Sequence, residues 1–123
     1  MRGRARFGKF NAKRTADGFP SKLEASVYQL LLLRERCGEI KEIKRQCVIR
    51  LLDGPKDVMI NWKCDFSYIN CSTGVLHYCE AKGVRTNDFI LKLKLYKATQ
   101  SAPLEIYSGD YRRPTLTERI NYK

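Results

Sequence analysis

The stretch MINWKCDFSYINCSTGVLHYCEAKG, residues 59–83, decides the fold. In its first part Ile60, Trp62, Cys64, Phe66 and Tyr68 alternate with Asn61, Lys63, Asp65 and Ser67, which predicts a strand over 59–69 with one apolar and one polar face. NCSTG, residues 70–74, is hairpin chemistry. Val75, Leu76, Tyr78 and Cys79 suit a second pleated surface, and that strand, over 75–82, ends in Glu80-Ala81-Lys82 before Gly83. If the loop is 71–74, Asn70 faces Val75. Counting back, Asp65 then faces Glu80 and Lys63 faces Lys82. Asp65, Glu80 and Lys82 would share one face, whereas a slip of one residue would turn Asp65 away.

Outward from the hairpin, Ser21-Lys22-Leu23-Glu24 has the form of a capping box, and Leu23, Val27, Leu30 and Leu31 continue at helical spacing to a stop at Gly38. A strand is expected over 45–52, then a turn at DGPKD, residues 53–57. Thr86 or Asn87 caps a second helix reaching Thr99, with Phe89, Leu93 and Tyr96 on one side and Lys92, Lys94 and Lys97 elsewhere. A short strand follows at 104–107. The order helix, three strands, helix, strand predicts an α/β (α+β) domain over 21–107. Its first three strands are antiparallel and its last parallel, in a mixed sheet flanked by helices. Residues 1–20 read as a basic arm and 108–123 as a basic tail.

The chain has 123 residues, enough for one core, and carries 24 Lys and Arg against 13 Asp and Glu, a net +11. Such an excess selects a polyanion as partner. An anionic membrane would need an amphipathic helix with a free apolar face, and these helices need their apolar faces for the core. No apolar run approaches a membrane span, and no apolar signal segment follows the basic start. Arg2, Arg4, Arg6, Lys9, Lys13 and Arg14 in the arm, and Arg112 and Arg113 in the tail, are candidate phosphate contacts. The five cysteines include no C-x-x-C pair and read as reduced thiols; Cys64, Cys71, His77 and Cys79 match no zinc spacing. There is one histidine, His77, read as structural, with no G-x-S-x-G and no phosphate-binding glycine loop. Serine-hydrolase and nucleotide-hydrolysing chemistry have no residues to carry them, and nothing points to an organic cofactor.

Taken singly, Glu80 and Lys82 read as a surface ion pair and Glu24 as a capping glutamate. Together the residues say more. Two carboxylates facing each other repel unless something cationic sits between them, either Lys82 or a divalent metal. Glu24 borders the buried stripe of its helix, with Val27, Tyr28 and Leu31 at its helical neighbours.

This set resembles the PD-(D/E)XK nuclease superfamily, whose core is a restriction-endonuclease-like αβββαβ fold. Asp65 matches the first acid, Glu80-Ala81-Lys82 matches (D/E)XK, and Glu24 matches the first-helix glutamate of several branches. Cys64 stands where the motif's name has proline. FNAKRT (10–15), FPSKLEA (19–25), CDF and EAKG are similar to a small phage-encoded nuclease-like family. Size and architecture also resemble Holliday-junction resolvases. The resemblance implies Mg²⁺ or Mn²⁺ held by Asp65, Glu80 and the Ala81 carbonyl, with Lys82 serving the attacking water. Glu24 would orient water or join a second metal site, and Lys92 and Lys94 would meet phosphates. It implies a homodimeric endodeoxyribonuclease acting on branched DNA in the cytoplasm, that of the host if phage-encoded. The alternatives are a nicking, restriction-like or transposon-end-cutting nuclease of the same fold, and a non-catalytic basic nucleic-acid-binding module.

Overall fold

A computed structural model describes residues 20–56 and 58–122. Helix α1 (Lys22–Arg36) is followed by strands β1 (Ile40–Asp53), β2 (Met59–Asn70) and β3 (Leu76–Ala81). Helix α2 (Asn87–Thr99) and strands β4 (Leu104–Ser108) and β5 (Thr115–Ile120) complete the chain. The five strands form one mixed sheet in sequence order, antiparallel except for the parallel β3–β4 pair that α2 connects. The described residues are thus an α/β domain with the expected order of elements plus a fifth strand.

Local chemistry sets the helix starts. Ser21 Oγ accepts the Glu24 N–H at 3.1 Å, and Thr86 Oγ1 accepts that of Phe89 at 3.2 Å, each satisfying an amide that has no helical partner. Leu23, Val27 and Leu31 of α1 pack with Ile40, Phe66, Tyr68, Cys79 and Tyr107. Phe89, Leu93 and Tyr96 of α2 pack with Ile49, Leu51, Trp62, Cys64, Leu104, Ile106 and Ile120. On β4, Leu104 and Ile106 belong to the α2 side, while Glu105 and Tyr107 face α1, so the two helices cover opposite faces of the sheet. Among the described residues no helix is long and apolar enough to cross a membrane.

Three expectations need correction. β1 begins at Ile40 rather than 45, because Ile40 is only 1% exposed under α1 and pairs with Asn70; the charged run after it hid the strand. The segment read as a basic tail contains β5, whose Ile120 closes the α2 core and whose backbone pairs with β4. The alternation expected along β2 does not hold either. Trp62 and Cys64 belong to the α2 cluster but Phe66 and Tyr68 to the α1 cluster, so β2 changes face at Asp65. β1 changes face in the same row: Ile43 packs on the α1 side and Ile49 on the α2 side. Register is kept across that row, with Arg45 opposite Phe66 and Cys47 opposite Cys64. The basic arm, with Arg2, Arg4, Arg6, Lys9, Lys13 and Arg14, lies outside the described residues.

Candidate functional site

The β2–β3 ladder has the expected register, with Phe66 opposite Cys79 and Ile69 opposite Leu76, and Asn70 N–H donating to Val75 O across the loop. One step beyond Phe66 and Cys79, side chains replace the ladder. The Asp65 N–H donates to Glu80 Oε1 at 3.1 Å, and the Ala81 N–H donates to Asp65 Oδ2 at 2.9 Å. Each acid thus satisfies a backbone amide of the opposite strand, and the strands part around them. The cleft so opened is lined by Glu24 of α1, Gln46 of β1, Trp62, Lys63 and Asp65 of β2, Glu80 and Lys82, and Asp88, Phe89 and Lys92 of α2.

Glu24, Asp65, Glu80 and Lys82, far apart in sequence, therefore meet in one place. Glu24 and Glu80 are 5% and 6% exposed. The Glu24 carboxylate is turned toward β1, where Gln46 Nε2 donates to its Oε2 at 3.0 Å. The Lys82 ammonium lies 5.4 Å from the centre of the Phe89 ring, and its backbone N–H is tied to Tyr107 O at 2.8 Å. Burial, followed by the Asp65 charge, raises Glu24 to about 7 and Glu80 to about 8. Burial also raises Asp65, against the opposing pull of the Ala81 amide and the Lys82 charge. Three acids crowded in this way favour either extra protons or a cation.

Of the expected phosphate contacts, Lys92 lines the cleft and pairs with Asp88 at 3.3 Å, a residue sequence reasoning missed. Lys94 is exposed on α2 and does not line the cleft. Arg112 is engaged by Asp110 at 2.6 Å in the β4–β5 turn, and Arg113 is exposed in that same turn, away from the cleft lining. Gln46 was also missed, since a single amide in a run of charged residues matches no motif. All five cysteines are free thiols. His77 is buried, stacked on Tyr68 at 5.2 Å with its Nδ1 3.0 Å from Tyr122 Oη, which fits the structural role expected of it. Among the described residues, no three His, Cys, Asp or Glu side chains are arranged to hold a metal ion by themselves.

Comparison with known proteins found no matching family model, no matching curated protein and no matching solved structure.

Proposed function

We propose that this chain is a metal-dependent DNA endonuclease of the PD-(D/E)XK kind. The observation that carries the reading is the convergence of Glu24, Asp65, Glu80 and Lys82 on the cleft where β2 and β3 part. The net charge of +11 supplies the attraction for a polyanion. Asp65 and Glu80 fit Mg²⁺ or Mn²⁺, because such ions are typically held by one or two carboxylates with water and substrate oxygens completing the shell. That no third ligand of the His, Cys, Asp or Glu type joins them among the described residues is compatible with that habit. Bound there, the ion would lower the pKa of a water and stabilise charge growing on a phosphodiester.

The chain's own residues divide the remaining work. Asp65 and Glu80 set the depth of the scissile phosphate by filling the gap between the strands. Lys82, anchored through its backbone to Tyr107, brings a cation and hydrogen-bond donors to the nucleophile or to the transition-state charge. Glu24 accepts a proton from, or orients, a water approaching from the α1 side. Lys92 meets a flanking phosphate from α2. The substrate class is DNA, with branched DNA favoured by the resemblance to resolvases. A two-fold dimer would present two such clefts to the two strands cut.

The test is cleavage of a labelled four-way junction, a linear duplex and a single strand in Mg²⁺, Mn²⁺ and EDTA, with Glu80→Ala as control. Metal-dependent cutting abolished by the substitution supports the nuclease, and cutting confined to the junction supports the resolvase-like form. Equal cutting of all substrates keeps the nuclease and discards the junction. Salt-sensitive binding without cutting in any metal would overturn the enzyme reading in favour of a binding module.

A further inference from the structure

Resting on the nuclease reading, we infer that Gln46 is a positioning residue. Its side-chain amide fixes the orientation of Glu24 in the cleft, and its left-handed backbone is what brings that amide there. Gln46 has φ +55°, a region that side-chain-bearing residues rarely adopt and glycine adopts freely. The other described non-glycine residues with positive φ have local causes. Glu42 falls at a register shift of β1, Lys56 in the β1–β2 turn, and Asn121 just past β5. Gln46 lies inside a strand where register is kept, so no bulge accounts for it.

Its row does have a distinguishing feature. Directly across β2 is Asp65, and this is the row where both strands change face. The unusual backbone directs the Gln46 side chain to Glu24, at 3.0 Å, and into the lining of the cleft. Glu24 is faced there by Asp65 from β2, whose carboxyl group also hydrogen-bonds with it, and by Arg45 and Gln46 from β1, so the Gln46 amide fixes the side of the carboxylate turned away from Asp65. A neutral amide donor can fix the rotation of a carboxylate without neutralising it, which a lysine at this position would do. The amide also diverts the carboxylate from its own helix cap, where the Ser21 half of the capping box forms.

If the residue were there for the backbone, glycine would serve at least as well. Gln46→Gly therefore separates the two roles. The expected result is kcat for cleavage down about 10- to 100-fold with KM for DNA little changed, and a metal-free melting midpoint above that of Gln46→Ala, which loses the same amide but keeps the left-handed strain. Gln46→Ala should lower kcat similarly. In a Glu24→Ala background, Gln46→Ala should have no further effect, because the amide acts through that carboxylate. A readout independent of turnover is the Gln46 side-chain amide pair in the NMR spectrum of ¹⁵N-labelled protein, which Glu24→Ala should displace. Full activity in Gln46→Gly, additive losses in the double variant, or an unmoved amide pair would each overturn the inference while leaving the nuclease intact. A wild-type chain that cuts no DNA would overturn both.

Discussion

At Glu80 a carboxylate is buried against its own preference, held by an amide of β2 and opposed by the charge of Asp65. The consequence for stability has a definite sign. Glu80 titrates near 4.5 when unperturbed and is raised to about 8 in the fold, and Glu24 is raised to about 7. Between these values the folded chain binds more protons than the unfolded one, so stability declines as pH rises from about 4.5 to about 8. The metal-free melting midpoint should therefore fall across that window, corresponding to a loss on the order of 1–3 kcal/mol. Glu80→Gln should flatten the fall, and added Mg²⁺ should restore the wild-type midpoint at the alkaline end. Thermal melts at pH 5 and pH 8 with and without Mg²⁺ check this. A wild-type midpoint no lower at pH 8, or an equal fall in Glu80→Gln, would refute it. The pattern E-x-K was legible in the sequence. That its glutamate is buried was not, because burial comes from the strands on either side, β2 with Asp65 and β4 with Ile106, brought together only by the fold.

At the level of elements, one polar cluster joins α1 to the sheet. Arg34 Nη1 donates to Glu105 Oε1 at 3.0 Å, and the Tyr68 hydroxyl donates to the same oxygen at 2.6 Å. Arg34 also lies 5.1 Å from the centre of the Tyr68 ring. The Glu105 side chain is only 4% exposed, so its charge is viable only with these partners. Arg34→Ala should destabilise the fold by about 3 kcal/mol by leaving that carboxylate unpaired, while Arg34→Ala combined with Glu105→Gln should recover part of the loss. Urea denaturation of the two variants measures both. Since α1 also carries Glu24, loosening its docking should lower cleavage as well. Element order was legible here because cap, turn and alternation signals are local. β5 was missed because its few apolar positions are interspersed with charged and hydroxyl side chains and serve different cores, Leu116 packing on the α1 side and Ile120 on the α2 side once the backbone has paired with β4.

Over the whole molecule the dominant property is charge. Six cations, Arg2, Arg4, Arg6, Lys9, Lys13 and Arg14, precede the first acid, Asp17. If they meet phosphates, removing residues 1–16 should make the slope of log K against log salt for duplex DNA shallower by up to about 5, since each phosphate contact contributes about 0.9. Fluorescence anisotropy at several salt concentrations gives that slope, and an unchanged slope would exclude the arm from the interface. Lys92→Ala, at the cleft, should instead change the slope by about 1.

The sequence offered the hairpin register on the condition of a loop at 71–74, since a period of two then sets Asp65 opposite Glu80, and the structure meets that condition. The capping Ser21, a second cap at Thr86 or Asn87, the net charge of +11 and the order of the first six elements were legible in it too, all being local or summed properties. Tertiary structure alone decided that Glu24 meets them, that β1 and β2 change face in one row, and that Gln46 is turned to Glu24 by a left-handed residue. A face change breaks the alternation from which strands are read. The row where it falls holds the left-handed Gln46 and the strand-to-strand bonds of Asp65 and Glu80, which no periodicity within a single strand records.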